Sequence, residues 1–252
     1  MKKQKASIKA LKMITFVKFC IKLINLYNKR GQNYFIFQKF QAENIIKTLK
    51  NKLNLTCNST VIDYGCGYGG YSSVLADYFQ QVKAVDYYSS SQISEKQNIN
   101  YEKADLISYK TAPVDFIFCT SVIEHIPKEK QALFVENIKD NLKKRGYLYL
   151  SFPPFLSLQG GHATYPFHYF PDKTAFFLTK IFRKANITSY STMWGDWGLY
   201  KTSIKEVETM LLDNNFKIIE INSRFMPKWY SKFFGKIDFL NWHVEFIAQK
   251  RG

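Results

Sequence analysis

The chain has 252 residues, of which 46% are hydrophobic and 17% aromatic, enough apolar surface for one large domain and too much for a mainly disordered protein. Its four cysteines, Cys20, Cys57, Cys66 and Cys119, have neither CxxC spacing nor a neighbouring histidine cluster. We therefore expect no disulfide framework and no metal site, and the predicted compartment is the reducing cytoplasm. The net charge of +16 is concentrated in the first 50 residues, which hold twelve basic residues and one acid, Glu43.

The N-terminal segment 9–28 alternates apolar residues with lysines. Lys12, Lys18 and Lys22 keep each uncharged stretch well below the roughly 18 residues that a membrane-spanning helix needs, and they also interrupt any signal-peptide core. At helical spacing the lysines fall on one face and the apolar residues elsewhere. The segment is predicted to be a helix that packs on the main domain or a partner subunit, or that lies in a membrane interface, as part of a basic helical cap over residues 1–57.

From residue 58 to 252, short apolar runs alternate with helical patterns, which indicates a doubly wound α/β sheet. Strands are predicted at residues 61–63, 82–86, 100–105, 114–119, 147–152, 216–221 and 243–248. Helices are predicted at 70–79, at 128–143 with Gly146 ending it, and from the capping box of Ser203 and Glu206 to 214. Residues 153–200 break this rhythm and are interpreted as an inserted acceptor loop, whereas His243 is interpreted as a structural residue of the last strand.

A glycine-rich turn, DYGCGYGG at residues 63–70, follows the first predicted strand. Its glycines match the GxGxxG pattern, and Asp86 follows 21 residues after Gly65, as in an NAD-binding unit. However, Asp63 lies two residues before the first glycine, where the dinucleotide fingerprint requires no acid. The turn alone therefore leaves an NAD oxidoreductase open as one interpretation.

Three further features point to a different cofactor. Asp63 with the glycines, then Asp86, Asp105 and the segment TSVIEHIP at 120–127, occur in the order and spacing of one family. From about residue 58 to 155 the chain resembles the class I S-adenosylmethionine-dependent methyltransferases of type 11. The resemblance implies a Rossmann-like, seven-stranded sheet whose last strand is antiparallel. It also implies S-adenosyl-L-methionine as cofactor and S-adenosyl-L-homocysteine as product.

The same resemblance assigns roles to individual residues. Asp86 would accept hydrogen bonds from the ribose hydroxyls, Asp105 from the adenine amino group and Asp63 from the methionyl ammonium. The backbone at Gly65 and Gly67 would lie against the ligand, where a side chain would collide with it. The resemblance places five further residues beside the cofactor: Cys66, Tyr87, Ala104, Leu106 and Thr120.

Three histidines are candidates for a general base, because the pKa of histidine lies near neutrality. His125 follows the fourth predicted strand, and His162 and His168 lie in GGHATYPFHYF at 160–170, where the two glycines are expected to make the loop mobile. This segment, and WGLY at 197–200, resemble segments of methyltransferases from bacterial surface-polysaccharide and capsule loci. His162 is the leading candidate for the base, whereas the favoured interpretation of His168 is a hydrogen-bonding anchor of the loop.

The predicted reaction is methyl transfer to oxygen on a sugar or a phosphorylated or nucleotide-linked precursor of a bacterial surface glycan, phosphoramidate acceptors included. The many lysines favour such a small anionic partner. A lipid or quinone methyltransferase, a nucleic-acid methyltransferase and a non-catalytic S-adenosylmethionine-binding protein stay open as alternatives, as does peripheral membrane contact through residues 9–28. Nucleic acid is disfavoured, because the Asn/Asp-Pro-Pro-aromatic motif of amino-methylating DNA enzymes does not follow the fourth strand.

Overall fold

The computed structural model describes residues 16–29, 33–88, 96–183, 189, 193–194 and 199–252. In this part of the chain seven strands form one sheet: β1 Val61–Tyr64, β2 Val82–Asp86, β3 Ile99–Lys103, β4 Val114–Thr120, β5 Leu142–Phe152, β6 Phe216–Ser223 and β7 Val244–Lys250. The order is β3-β2-β1-β4-β5-β7-β6. β7 is antiparallel to both of its neighbours, and the other pairs are parallel. The predicted Rossmann-like sheet with an antiparallel last strand is confirmed.

Helices cover both faces of the sheet, which explains why its central strands are continuous apolar runs. The helices are α1 (16–28), α2 Tyr34–Lys52, α3 Gly70–Tyr78, α4 Gln131–Asp140, α5 Asp172–Phe182, α6 Ile204–Asp213 and α7 Lys228–Phe234. α2 and α3 pack with one face of the sheet in a core that includes Ile46, Leu75 and Phe118. α4 and α6 pack on the other face. The capping box predicted for α6, between Ser203 and Glu206, is present.

Two predicted elements have different bounds in the structure. The helix predicted at 128–143 begins only at Gln131, because Lys128–Lys130 form a separate 3-10 turn, and it ends at Asp140. Gly146 therefore does not end this helix. It lies inside β5, which begins at Leu142 and is irregular near its start. A Cβ atom on Gly146 would lie 3.0 Å from the Lys143 carbonyl oxygen, so this glycine permits a close approach within the strand.

The third strand is shorter than predicted at its carboxyl end. β3 ends at Lys103, so Asp105 lies in the turn beyond the strand and not at its last position. The Asp105 carboxylate accepts a hydrogen bond from the Ile107 amide at 2.9 Å, a geometry that favours a turn over a continued strand.

The N-terminal helices pack on the main domain through aromatic contacts. Phe19 of α1 stacks on Phe40 of α2, with ring centroids 5.3 Å apart, and meets Phe225 edge-on at 5.0 Å. Val17 and Ile21 of α1 are exposed beside its lysines, so apolar residues share the outward surface with the lysines. Residues 9–15 of the predicted segment lie outside the described residues. The helices in the described ranges include none that could span a membrane; the division of the chain at residue 57 stays a prediction.

Candidate cofactor and acceptor site

The predicted cofactor residues meet at the carboxyl edge of the sheet, the edge at which the parallel strands end. Asp63 belongs to β1 and precedes the glycine-rich turn, Asp86 ends β2, and Thr120 ends β4. Asp105 follows β3. Because β3, β2, β1 and β4 are neighbours in this order, the sheet brings residues together that are up to 57 positions apart in the chain. Open α/β sheets bind ligands at this edge.

The glycine-rich turn has a backbone that only glycine adopts easily. Gly65 and Gly67 have φ angles of +88° and +53°, in the region that strains other residues. A Cβ atom on Gly65 would lie 2.2 Å from the side chain of Val122. The amides of Gly65 and Cys66 donate to the Val85 carbonyl at 2.8 and 3.1 Å, which ties the turn to β2.

Asp63 is a buried carboxylate with one oxygen left over. Its side chain is 1% exposed, and Oδ2 accepts a hydrogen bond from the Ser72 hydroxyl at 2.5 Å. Oδ1 is buried and has no hydrogen-bond partner in the described part of the chain. Burial raises the pKa of Asp63 to about 7, a shift that the Ser72 bond opposes and the nearby Asp86 increases. This unpartnered oxygen fits an incoming ammonium group, which would donate a hydrogen bond to it and favour the charged carboxylate.

Asp86 is held by the backbone on both sides. Its Oδ2 accepts from the Gly67 amide at 2.8 Å and its Oδ1 from the Tyr88 amide at 3.0 Å. A carboxylate offers about four acceptor sites, so each oxygen can still accept a bond from a ligand hydroxyl. Tyr87, beside it, is 58% exposed and is free to pack on a bound adenosine.

The other predicted cofactor residues divide into those at the edge and those beneath it. Asp105 is exposed at the edge, and Ala104 donates its amide to the Asp86 carbonyl at 2.9 Å. Leu106 is buried, and its carbonyl accepts hydrogen bonds from the Tyr64 hydroxyl at 2.7 Å and from the Asn137 amide group. The Thr120 hydroxyl accepts a hydrogen bond from the guanidinium of Arg224, so Thr120 helps to position this cavity residue.

The turn is not arranged to bind a pyrophosphate. In a dinucleotide site the amides of the glycine turn and of the helix start point at phosphate oxygens. Here the Gly67 amide is bonded to Asp86, and the Gly70 amide at the start of α3 donates to Gln38 of α2 at 3.1 Å. A Cβ atom on Gly70 would lie 2.6 Å from the Phe35 carbonyl, so α2 covers the helix start directly. Helix α2 and the Asp63 carboxylate thus oppose the NAD interpretation.

A cavity of about 530 Å³ adjoins the cofactor edge. It lies beyond the end of β4, and both N-terminal helices contribute to its wall. Its lining includes aromatic and polar residues from the cap, the strand ends and the insertion: Tyr27, Tyr34, Phe37, Gln41, Tyr71, Ser121, Glu124, His125, His162, Tyr165, Arg183, Arg224, Trp242 and His243. Its volume suits a small molecule.

The structure places the predicted histidines differently. His125 and His162 both line the cavity, with ring centroids 6.3 Å apart. His125 is exposed. Its pKa is nevertheless lowered, because the surrounding protein desolvates the imidazole and His162 lies nearby. His168 is buried outside the cavity lining, where its Nε2 lies 3.1 Å from the Ser157 carbonyl oxygen. This position matches the anchoring interpretation of His168 and gives no support to a catalytic one.

The two glycines before His162, which the sequence analysis linked to a mobile loop, are closely packed in the structure. A Cβ atom on Gly160 would lie 2.1 Å from the Phe155 carbonyl oxygen, and one on Gly161 would lie 2.2 Å from the His168 ring. The glycines therefore allow the loop to fold tightly on itself. Of the WGLY segment at 197–200, residues 197 and 198 lie outside the described residues.

Three cavity residues were missed by the sequence analysis. His243 precedes β7, and its ring lies between the hydroxyls of Ser121 and Ser151, at 3.5 and 3.2 Å; burial and the nearby Arg224 lower its pKa. Glu124 has a buried Oε2 without a hydrogen-bond partner in the described chain, and burial raises its pKa to about 8. Glu124 belongs to the TSVIEHIP segment at 120–127, and its place after the fourth strand was the sequence feature that could have identified it.

Arg224 is the third missed residue, and nothing local in the sequence marks it. It follows β6 and is 1% exposed. Its guanidinium donates to Gln41 at 3.1 Å and to Ser151 at 2.5 Å, and it forms an ion pair with Glu245 at 3.6 Å. It therefore joins the cap helix α2 to the floor of the cavity across 183 positions of the chain.

Comparison with known proteins places this site in a family. Residues 35–220 match the family model described as a methyltransferase domain. An uncharacterized RNA methyltransferase of Chlamydia muridarum is 29% identical over 82 residues, 32% of this chain and 21% of that protein, so the chain spans about a fifth of the length of this relative. The Clostridium acetobutylicum S-adenosylmethionine-dependent methyltransferase has a similar fold, with a TM-score of 0.60, 14% identity and coverage of 92% of this chain and 98% of that one.

A second solved structure is similar over most of its length. The Synechocystis magnesium protoporphyrin IX methyltransferase, solved with bound S-adenosylhomocysteine, has a TM-score of 0.55 at 18% identity and covers 84% of this chain and 82% of its own. At such low identity these structures show a shared fold. The family match includes the glycine-rich turn, the three acids and most of the cavity, and the chain belongs to the methyltransferase domain family.

Proposed function

We propose that this methyltransferase transfers a methyl group from S-adenosylmethionine to an oxygen atom of a small anionic acceptor, a sugar or a phosphorylated or nucleotide-linked precursor of a surface glycan. The observation that carries the proposal is the histidine-lined cavity beside the cofactor edge. Its volume favours a small molecule over a nucleic-acid strand. Its aromatic wall, which includes Tyr34, Phe37 and Tyr165, is suited to stacking on a sugar or a base.

The residues at the edge fit the cofactor. Asp63 would hold its ammonium, Asp86 its ribose hydroxyls and Asp105 its adenine amino group, while Gly65 and Gly67 let the backbone approach. When bound there, S-adenosylmethionine supplies an activated methyl group on a sulfonium. The protein has to orient the acceptor, exclude water and remove a proton. These site roles are proposals that the hydrogen bonds of the turn support.

His162 is the proposed base, with His125 as its neighbour. Removing the proton from an acceptor hydroxyl requires a neutral imidazole near the reacting oxygen. The lowered pKa of His125 keeps that ring neutral at physiological pH, so a proton taken up by His162 does not face a second fixed charge. Both rings lie in the wall that the acceptor would contact.

The charge of the cavity supports an anionic acceptor. Among the described residues, two arginines, Arg183 and Arg224, line it together with a single acid, Glu124. Because burial raises the pKa of Glu124 to about 8, this acid is largely neutral at pH 7. Arg183 is exposed and also donates to the Tyr165 carbonyl at 3.1 Å, which positions its charge at the rim. An acceptor phosphate would find its counter-charge there.

The experiment is a methyl-transfer assay with S-adenosylmethionine labelled in the methyl group. The acceptors are sugar phosphates, nucleotide-diphosphate sugars, a phosphoramidate-bearing sugar, a quinol and a short RNA. We expect label in an anionic sugar, on oxygen as located by NMR. Label only in the quinol or the RNA would contradict the acceptor proposal and leave the methyltransferase class intact.

A further inference from the structure

A group of large apolar side chains is exposed on α5, which ends beside the cavity residue Arg183, on α7 and on the turn before β7. Phe177 and Phe182 of α5 are 61% and 68% exposed, and Trp229 and Phe233 of α7 are also 61% and 68% exposed. Ile181 and Phe239, at 51% and 58%, complete a surface that we call the apolar rim. Single exposed apolar residues are ordinary, but a group of this size around a site indicates an interaction surface.

The topology places the whole rim on the carboxyl edge of the sheet. α7 begins shortly after β6 ends, and α5 ends beside Arg183 in the cavity wall, so both helices lie at the edge where parallel strands end. The turn Asp238–Leu240 precedes β7, whose antiparallel direction makes it start at the same edge. Contacts join these segments. The ring centroids of Tyr169, which precedes α5, and Phe239 lie 6.1 Å apart. The hydroxyl of Tyr230 in α7 donates to the Leu240 carbonyl at 2.8 Å.

The rim is interleaved with positive charge. Lys173 and Lys180 on α5, and Lys228 and Lys232 on α7, are exposed. The one acid of these two helices, Asp172, is bonded to Lys201, and α7 contains no acid. Lysine can extend its ammonium group toward phosphates while its methylene chain covers apolar surface.

We propose that the apolar rim docks on the surface of an anionic lipid bilayer, with the cavity mouth facing the headgroups. Exposed rings enter the boundary between headgroups and acyl chains, and the lysines meet lipid phosphates, as in surface-bound amphipathic helices. With 11 and 7 residues, α5 and α7 are too short to span a bilayer and would lie in its surface. The proposal rests neither on the acceptor proposed above nor on the segment 9–28.

Other occupants fit the rim less well. An RNA would pair with the lysines and stack its bases on exposed rings, but it gains nothing from the aliphatic Ile181. A second copy of the chain, related by a two-fold axis, would bring the lysines of one rim against those of the other. An anionic bilayer satisfies the apolar and the basic residues together.

The test is co-sedimentation of the full chain with vesicles of phosphatidylglycerol and phosphatidylcholine, compared with phosphatidylcholine alone. Two variants alter the rim: Phe177→Ser with Phe182→Ser, and Trp229→Ser with Phe233→Ser. The matched control is Leu212→Ser, because Leu212 is 48% exposed near the end of α6, at the opposite edge of the sheet. Binding of S-adenosylmethionine by calorimetry checks that each variant is folded.

We expect the wild-type chain to sediment with the anionic vesicles and to be released by salt. Each rim variant should lower the vesicle partition coefficient at least about tenfold, and the control should bind like wild type. Absence of wild-type binding, or equal binding by the rim variants, would overturn the proposal. So would a concentration-dependent dimer that only the rim variants disrupt, or retention of RNA without vesicle binding.

Discussion

Asp63 shows how one residue connects the fold to the cofactor. It belongs to a buried strand, it accepts one hydrogen bond from Ser72, and its second oxygen has no partner in the described chain. Burial raises its pKa to about 7, so much of the ligand-free protein holds a neutral Asp63 below that pH. Binding an ammonium group requires the carboxylate, and the proton must then leave.

We therefore expect the affinity for S-adenosylmethionine to rise between about pH 5 and pH 7. Below its pKa the acid must lose a proton on binding, which costs up to about tenfold in affinity per pH unit. Calorimetry at several pH values, in buffers of different ionisation enthalpy, measures both the affinity and the proton released. Asp63→Asn should bind weakly and without this pH dependence. A wild-type affinity that is flat over the range would contradict the role of Asp63.

His162 and His168 differ in environment, since His162 lines the cavity and His168 is buried outside its lining. His162→Ala should lower kcat by about 10²- to 10⁴-fold, the usual contribution of a general base, with little change in cofactor affinity. His168→Ala should instead lower the melting temperature, because it removes a buried ring packed on Gly161. Steady-state kinetics and thermal unfolding of both variants distinguish the two roles. Full activity of His162→Ala would refute the proposed base.

Residue patterns predicted the acids of the edge better than the floor of the cavity. Asp63 lies in β1 just before the glycines, Asp86 ends β2 and Asp105 closely follows β3, so their order and spacing carry the information. Arg224 and His243 reach the cavity only through contacts with residues up to 183 positions away. No local pattern encodes such contacts, which arise when the sheet closes.

At the scale of elements, the first part of the insertion, residues 153–170, is a tightly folded loop. Gly160 approaches the carbonyl oxygens of Pro154 and Phe155, and the His168 ring packs beneath Gly161. The loop then continues into α5, whose last residues lie near Arg183 at the cavity. The position of His162 thus depends on backbone packing several residues before it.

Gly160→Ala should displace this loop. Its new methyl group would lie 2.1 Å from a backbone oxygen, so the backbone has to move, and a shift of about 1 Å in a catalytic group can lower the rate about 100-fold. We expect a large fall in kcat/KM for the acceptor and an unchanged affinity for S-adenosylmethionine. Gly252→Ala, which meets no atom within 4 Å, is the control. Normal kinetics in Gly160→Ala would contradict a packed loop.

Strands were predicted correctly where residues that favour a turn or a chain break mark their ends in the sequence. β1 is followed by Gly65 and β2 ends at Asp86, and the positions of both strands agree with the structure. α5 and α7 were not predicted, because several of their large apolar residues are exposed and α7 has only seven residues. The starts of α4 and β5 were wrong because local 3-10 and bulged geometry shifts them.

At the scale of the molecule, buried ionisable groups couple stability to pH. Burial raises the pKa of Asp63 to about 7 and that of Glu124 to about 8, so folding favours their protonated forms and stability is lost as pH rises toward those values. Burial lowers the pKa of His168 and His243, which opposes this trend only below about pH 6.5, where unfolded histidine takes up protons.

The melting temperature of the ligand-free protein should therefore fall between about pH 6.5 and pH 8. Asp63→Asn and Glu124→Gln together should remove most of this decrease, since neither replacement ionises. Scanning calorimetry at constant ionic strength measures it. A melting temperature that rises over this interval in the wild-type chain would contradict the buried, protonated state of the two acids.

The alternation of strands and helices predicted a doubly wound sheet, because it leaves few ways to connect the elements, whereas the family resemblance implied the antiparallel last strand. The role of the N-terminal helices was not predictable in the same way. α2 supplies Gln38 to the Gly70 amide and Gln41 to Arg224, so the cap completes the cofactor turn and the cavity. Both contacts join residues that are distant in the chain, so no local sequence pattern predicts them.

The most direct measurement is calorimetric binding of S-adenosylmethionine, S-adenosylhomocysteine and NADH to the wild-type chain and to Asp86→Ala, with the exposed Asp213→Ala as control. We expect the first two ligands to bind and NADH not to bind. Loss of two hydrogen bonds from Asp86 should weaken binding by about 10- to 10³-fold, and the control should bind like wild type. Preference for NADH, or equal binding by Asp86→Ala, would contradict the assignment of this edge to S-adenosylmethionine.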